Sequence, residues 1–333
     1  MSRSPVTAGG GLTHEAALFR SDDEMLDMTA SFLRDGLAAG EAGLVAVADD
    51  VAASLRRELS DAPIVFFPAP RSAGNPTAAI AGYREALAAQ RDAGAARVRI
   101  VGEVPHPGRP GAAAPAGAGT SFDGGLGAPH PSAWDWWSRY EAASGHILGD
   151  FDAWSMCPYD LRTTPSDVVD DVLATHPYLS DGRSRHRRNP DVLPAEEFLA
   201  RPRPPAGHPL EDGPAHQDLL DPTPAAARTA ARYLTAHLPP HRVEAFVFGL
   251  SEAVSNAFLH GVPPVRVRLW SGRGHAVAAV TDTGPGPSSP FAGLLPDPTA
   301  LSGGLGLWTT MQVCPYVTFE HSPEGFTLRV ATG

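Results

Sequence analysis

Three short stretches in the last third of the chain bring together residue types that can do chemistry. The first is Glu252-x-x-x-Asn256-x-x-x-His260. On a helix this spacing stacks the three side chains one turn apart. An Asn amide oxygen can ligate Mg²⁺, a hard cation that takes oxygen ligands. A Glu carboxylate can orient or deprotonate an attacking hydroxyl. The second stretch is Asp282-Thr283-Gly284-Pro285-Gly286. An Asp at a strand end can accept a hydrogen bond from an exocyclic amine such as that of adenine, and the glycines let backbone approach a flat ring. The third is Ser302-Gly303-Gly304-Leu305-Gly306-Leu307. It falls where a helix begins, and the unpaired amides of such a start favour an anion. Its glycines do not follow the first strand of a βαβ unit, so they are not a dinucleotide fingerprint. Taken singly, each stretch is equally an ordinary feature: a solvated helix face, a Gly/Pro turn and a flexible helix start.

The elements that must position them can be read from periodicity. Val243, Phe246, Val247, Leu250, Val254 and Phe258 form one apolar stripe of a helix over 243–260 that Gly261 ends. A helix over 225–237 precedes it and stops at Pro239-Pro240. Strands follow at 265–269 and 276–280, then a helix over 305–313, then strands at 317–319 and 326–330. The order ααββαββ predicts one sheet with its helices grouped on one face.

The N-terminal half has a different rhythm. Ser21 with Glu24 reads as a capping box opening a helix that ends at Gly36 or Gly40. Apolar runs at 44–48, 64–67, 98–101 and 154–157 read as buried strands. Helices are expected over 51–59, from Pro76 to Gly94, around Trp134, Trp136, Trp137 and Tyr140, and from Thr164-Pro165 to Thr175. Such alternation predicts an α/β unit with a parallel sheet. Residues 106–131 are almost entirely Gly, Ala and Pro and predict a disordered insertion. Residues 180–223, with Arg183, Arg185, Arg187 and Arg188 and then a Pro-rich run, predict a linker holding one short helix.

Composition excludes several classes. All 26 cationic residues are Arg, against 37 acidic ones, for a net charge of −11. That balance argues against direct binding to nucleic acid. With no Lys there is no Walker A phosphate loop and no Schiff-base chemistry. Two cysteines, Cys157 and Cys314, build no disulfide framework. Without a long apolar run or a basic-then-apolar N-terminus, the expectation is a cytoplasmic protein with no membrane span.

Together the three C-terminal stretches are more specific. Glu252-x-x-x-Asn256, Asp282-x-Gly284-x-Gly286 and Gly304-x-Gly306 resemble the N, G1 and G2 boxes of the GHKL (Bergerat) ATPase and kinase superfamily. Glu252 to Ala257 followed by His260-Gly261 is most similar to the anti-sigma-factor serine kinases of the RsbW-like group. The resemblance implies a Bergerat α+β sandwich over 224–332 that binds Mg-ATP under a lid at about 287–303. It implies that Asn256 ligates Mg²⁺, that Asp282 reads adenine, and that Gly304 and Gly306 cradle phosphates. His260, Gly284, Gly286 and the Thr327 hydroxyl would complete the cofactor site, and Glu252 would be the base for phosphoryl transfer to a partner serine. Gly303 stands where related proteins often carry Arg. The implied partners are a sigma factor and an anti-anti-sigma protein of the STAS type, and the implied assembly is a homodimer.

A second resemblance covers 13–179. His14, the turn at Gly36, Gly40 and Glu41, Val98 to Glu103, Tyr140-Glu141 and Cys157-Pro158-Tyr159-Asp160 resemble the MEDS (DcmR-like) sensory domain. This implies a RecA-like αβα sandwich without a phosphate loop that senses small, hydrocarbon-like molecules, with His14 and Cys157 as the ligand-sensing residues. From the residues alone, Cys157 is a small buried hydrophobe and His14 a capping or surface residue. The expectation is thus a switch in which a sensory domain governs an ATP-binding kinase. Two alternatives stay open. One is a module that holds ATP and sequesters a partner without catalysis. The other is a sensor histidine kinase with its acceptor among His186, His208 and His216.

Overall fold

The computed structural model describes residues 11–60, 62–67, 76–107, 131–182, 185–201, 207–272, 274–295, 305–314 and 316–332. Nearly all of the insertion expected over 106–131 lies outside these, as do Arg183, Gly303 and Gly304. The described residues fall into two compact units that divide after Leu199.

The first unit runs β1 (Leu12–Phe19), α1 (Asp22–Ala38), β2 (Ala42–Ala46), α2 (Asp49–Glu58), β3 (Ile64–Phe66), α3 (Pro76–Asp92), β4 (Val98–Gly102), α4 (Pro131–Ile147), β5 (Ala153–Asp160), α5 (Ser166–Thr175), β6 (Tyr178–Asp181), β7 (Arg187–Arg188) and α6 (Ala195–Leu199). The strands order as β3-β2-β4-β5-β1-β6-β7. All pairings are parallel except β6 with β7. Ser21 caps α1 by accepting the Glu24 amide at 3.1 Å. Glu24 does not close the expected box on Ser21; it accepts the amide of Arg20 at 2.7 Å.

Beside the central strand β5 lies β1, an interior strand that periodicity alone does not announce. Side chains alternate across a strand. On one face Ala17 and Phe19 join Trp154 and Met156 of β5 under Phe32 and Leu33 of α1 and Leu55 of α2. Gly36 of α1 is where the buried Arg99 of β4 passes, because a Cβ there would overlap the Arg99 side chain. Arg99 pairs with Glu41, and its guanidinium lies 4.7 Å and 4.4 Å from the rings of Phe32 and Trp154. On the other face of β1, His14 meets α4.

The second unit runs from a single 3₁₀ turn (Pro209–Asp212) into β8 (Gln217–Leu220), α7 (Pro224–Thr235), α8 (Pro240–His260), β9 (Arg266–Ser271), β10 (Ala276–Asp282), α9 (Gly306–Val313), β11 (Tyr316–Ser322) and β12 (Gly325–Ala331). Its sheet is antiparallel throughout, in the order β11-β12-β10-β9-β8. Phe246, Leu250 and Val254 of α8 are fully buried against one face. Leu210 and Ala215 cover part of the other, over Trp270, Val277, Ala279 and Ala331.

The stretch read as a linker is therefore corrected. Its N-terminal part completes the first sheet with the end of β6 and with β7, and Asn189 there donates to the carbonyl of His176 at 2.8 Å. Its C-terminal part supplies edge strand β8 and Glu211, which pairs with the buried Arg329 at 2.8 Å. Proline density hid both, because edge elements tolerate Pro and carry little apolar signal. No helix of the described residues is long and apolar enough to cross a membrane.

Candidate functional site

Helix α8 organises the candidate pocket of the second unit. Its apolar stripe faces the sheet, which leaves Glu252 and Asn256 half-buried and His260 exposed at its last turn. The side chains of Glu252 and Asn256 make no hydrogen bond among the described residues, so both are free to take a ligand. At the start of α9, Gly306 lies so close that a Cβ on it would overlap Oε2 of Glu252. At the other end of α8, Gly261 backs onto Asp282: a Cβ there would lie 2.5 Å from Cγ of Asp282.

Asp282 ends β10 and is 4% exposed. Its Oδ1 accepts the amides of Val262 at 3.1 Å and Gly284 at 2.7 Å. Oδ2 makes no hydrogen bond among the described residues and is the acceptor left for an exocyclic amine. Gly286 has φ +75°, and a Cβ there would meet the Phe326 ring at 2.5 Å. A side chain at 286 would therefore be strained by backbone and neighbour alike.

The structure thus brings Asp282, Gly284 and Gly286 to one end of α8, and Glu252 with Gly306 to the other. Asn256 lies between them. Glu252 and Gly261 are nine residues apart, which is about 13 Å of helix. Thr327 does not join them. It pairs with Thr281, whose hydroxyl lies 2.8 Å from its own, while Asp282 pairs with Phe326. Directly paired residues share a face and neighbours along a strand do not. Thr327 therefore points to the opposite side of the sheet, and Phe326 is the β12 residue beside Asp282. Gly304 lies outside the described residues.

The first unit holds a second constellation. His14 of β1, Glu141 of α4, Cys157 of β5 and His176 after α5 converge, all buried, with one potential ligand atom of each within 4.8 Å of the others. His14 Nε2 lies 3.3 Å from Oε2 of Glu141 and 3.4 Å from Sγ of Cys157. His176 Nε2 lies 2.8 Å from the same Glu141 oxygen. Burial pushes the Glu141 carboxyl up, but the imidazoles of His14 and His176 outweigh it and hold it at about 2. Burial, helped by the nearby His176, lowers His14 against the pull of Glu141. Burial and then Glu141 push the Cys157 thiol well up.

Comparison with known families separates the two units. Residues 13–177 match the model of MEDS, the methanogen/methylotroph DcmR sensory domain. Residues 218–332 match the histidine kinase-like ATPase domain.

The chain matches a MEDS domain followed by a histidine kinase-like ATPase domain.

No curated protein matches the chain. The ATPase-domain match begins at β8, which periodicity had left in the linker. The donor set of the ATPase domain fits Mg-ATP: a free carboxylate oxygen at a buried strand end, an uncommitted amide oxygen, and a glycine helix start against the Glu252 carboxylate. Mg²⁺ would supply charge neutralisation at the phosphates. In the MEDS domain, sequence reasoning named His14 and Cys157 but gave no role to Glu141 and missed His176. Glu141 looked like one polar residue of an aromatic-rich helix, and His176 follows the end of α5, where His is common for dipole reasons.

Proposed function

We propose that this chain is a cytoplasmic regulator whose ATPase domain binds Mg-ATP and acts on transcription-control partners under the command of its MEDS domain. The partners are a sigma factor, which it sequesters, and an anti-anti-sigma protein of the STAS type, which it phosphorylates on serine. The observation that carries this reading is the placement of Glu252 against Gly306 while Asp282 closes the far end of α8. In this reading the Glu252 carboxylate serves the phosphate end of the pocket, where it can accept the proton of an incoming serine hydroxyl. Apolar Phe258, Leu259 and Val262 are exposed next to the Asp282 end, and the Val262 amide is bonded to Asp282 itself. A nucleotide that engages Asp282 thus acts within one bond of an apolar surface suited to a protein partner.

A histidine-kinase reading has less support. Between 180 and 223 the longest helix among the described residues is α6, with 5 residues, too short for a phospho-acceptor helix pair. A sequestering module without transfer is favoured by one feature, the lack of any Lys in the chain to meet phosphate charge.

The test is phosphoryl transfer from γ-labelled ATP by the full chain, with candidate STAS-type proteins as acceptors. Acid-stable phosphoserine on the partner, lost in Glu252→Gln while ATP still binds, is the expected result. Label transferred at an undiminished rate by Glu252→Gln removes that residue from the mechanism. Acid-labile label on the chain itself overturns the reading in favour of a histidine kinase.

A further inference from the structure

His14, Glu141, Cys157 and His176 turn one potential ligand atom each toward a common point. His176 Nδ1 lies 2.9 Å from the carbonyl of Val172, which can only accept, so Nδ1 carries the proton and Nε2 is bare. The Ser144 hydroxyl donates to the carbonyl of Glu141 at 2.9 Å and so accepts from His14 Nδ1 at 3.0 Å, which leaves His14 Nε2 bare as well. Two imidazole lone pairs, a carboxylate and a sulfur therefore face one point. Nε2 of His176 and Oε1 of Glu141 are fully buried and make no hydrogen bond. Lone pairs gathered this way repel unless a proton or a metal cation lies among them.

The spacing has the size of a coordination sphere. A tetrahedral ion with N or O ligands at about 2.0–2.1 Å and S at about 2.3 Å has edges of about 3.3–3.6 Å. The His14–Glu141 and His14–Cys157 separations are 3.3 Å and 3.4 Å, whereas His176 and Glu141 at 2.8 Å must move apart to share an ion. The outer shell is also of the metal-site kind. Each ring fixes its tautomer through Nδ1, and the Tyr159 hydroxyl donates to Oε2 of Glu141 at 3.3 Å. The ligands come from β1, α4, β5 and the start of β6's approach, so the surrounding core, and not a mobile loop, holds them.

We propose that the MEDS domain is a metal centre, in which His14 Nε2, His176 Nε2, Glu141 and Cys157 bind one divalent transition ion of the zinc class. The mixed N₂SO set selects a borderline ion over Mg²⁺ or Ca²⁺, which want oxygen alone. Cys157 binds as the thiolate and releases its proton to solvent as the metal–sulfur bond forms. Beside the cluster a cavity lined by Tyr83, Ile100, Val104, Tyr140 and Leu148 reaches His14, Glu141 and Cys157. It has room for about one water-sized molecule beside the ion. This inference does not depend on the nucleotide reading of the other domain.

The experiment uses the full chain, produced without a metal-binding tag. Its metal content is measured by mass spectrometry, and the stripped protein is then titrated with Co²⁺. One ion per chain and a thiolate-to-cobalt charge-transfer band are expected. With only two cysteines in the chain, the band should vanish in Cys157→Ser and persist in Cys314→Ser. Should Cys157→Ser fail to fold, Ser144→Ala keeps all four ligands and should still weaken binding by about 10- to 100-fold. A folded wild-type chain that retains no metal and gives no cobalt band overturns the proposal. So does binding that neither Cys157→Ser nor Ser144→Ala diminishes.

Discussion

The carboxylate of Glu252 lies directly over the α-carbon of Gly306, close enough that any side chain at 306 would overlap it. This contact joins the middle of α8 to the start of α9. A methyl group at 306 must turn aside the carboxylate, the far end of a flexible side chain, and would itself stand at the helix start where phosphates are cradled. Gly306→Ala is therefore expected to weaken Mg-ATP binding by roughly tenfold or more with the fold intact. Equilibrium dialysis with labelled ATP, alongside far-UV circular dichroism, checks it. Unchanged affinity would show that this contact lies away from the phosphates.

Gly286 tests the opposite end of the pocket. Its φ of +75° and its contact with the Phe326 ring make Ala costly there. Gly286→Ala is expected to destabilise the ATPase domain by about 1–3 kcal/mol. Gly274 also has positive φ, at +89°, but nothing lies within 4 Å of the Cβ position. Gly274→Ala should therefore cost less. Chemical denaturation of both variants measures the difference, and equal losses would contradict the role given to Phe326.

How much of this was legible in the sequence depended on where each residue's partner lies. The Ser21 cap, the Pro-started α3 and the polar stripe of α8 are local patterns, and the structure carries all three. Strand β1 was not legible, because His14 and Glu15 look polar. Each is buried only because distant residues meet it: Glu141 for His14, and Trp154 and Ser180 for Glu15. Thr327 shows the same limit. A hydroxyl inside the last strand could face either side of a sheet, and only its register with Thr281 decides which. His176 and Glu141 lie 35 residues apart in sequence, and no spacing rule connects them.

Cys314 gives a test of packing in the ATPase domain. It is 2% exposed, its thiol donates to the carbonyl of Ala245 at 3.3 Å, and burial pushes it up to about 12. At pH 8 only about 10⁻⁴ of it is thiolate, the reactive form. Alkylation of the native chain followed by peptide mapping should leave the Cys314 peptide unmodified, with complete labelling once urea unfolds the protein. Rapid labelling in the native state would contradict the packing of α9 on α8.

The most direct test of the nucleotide pocket is calorimetric titration of Mg-ATP into the full chain and into Asp282→Asn. Oδ1 is held by the amides of Val262 and Gly284, so an Asn must turn its NH₂ toward the ligand. A donor would then face the exocyclic amine of adenine. The account predicts one binding site in the wild-type chain and a loss of roughly tenfold or more in the variant, the scale of a charged hydrogen bond replaced by a mismatch. A wild-type chain that binds no ATP, or an Asp282→Asn chain that binds it as tightly, would contradict it.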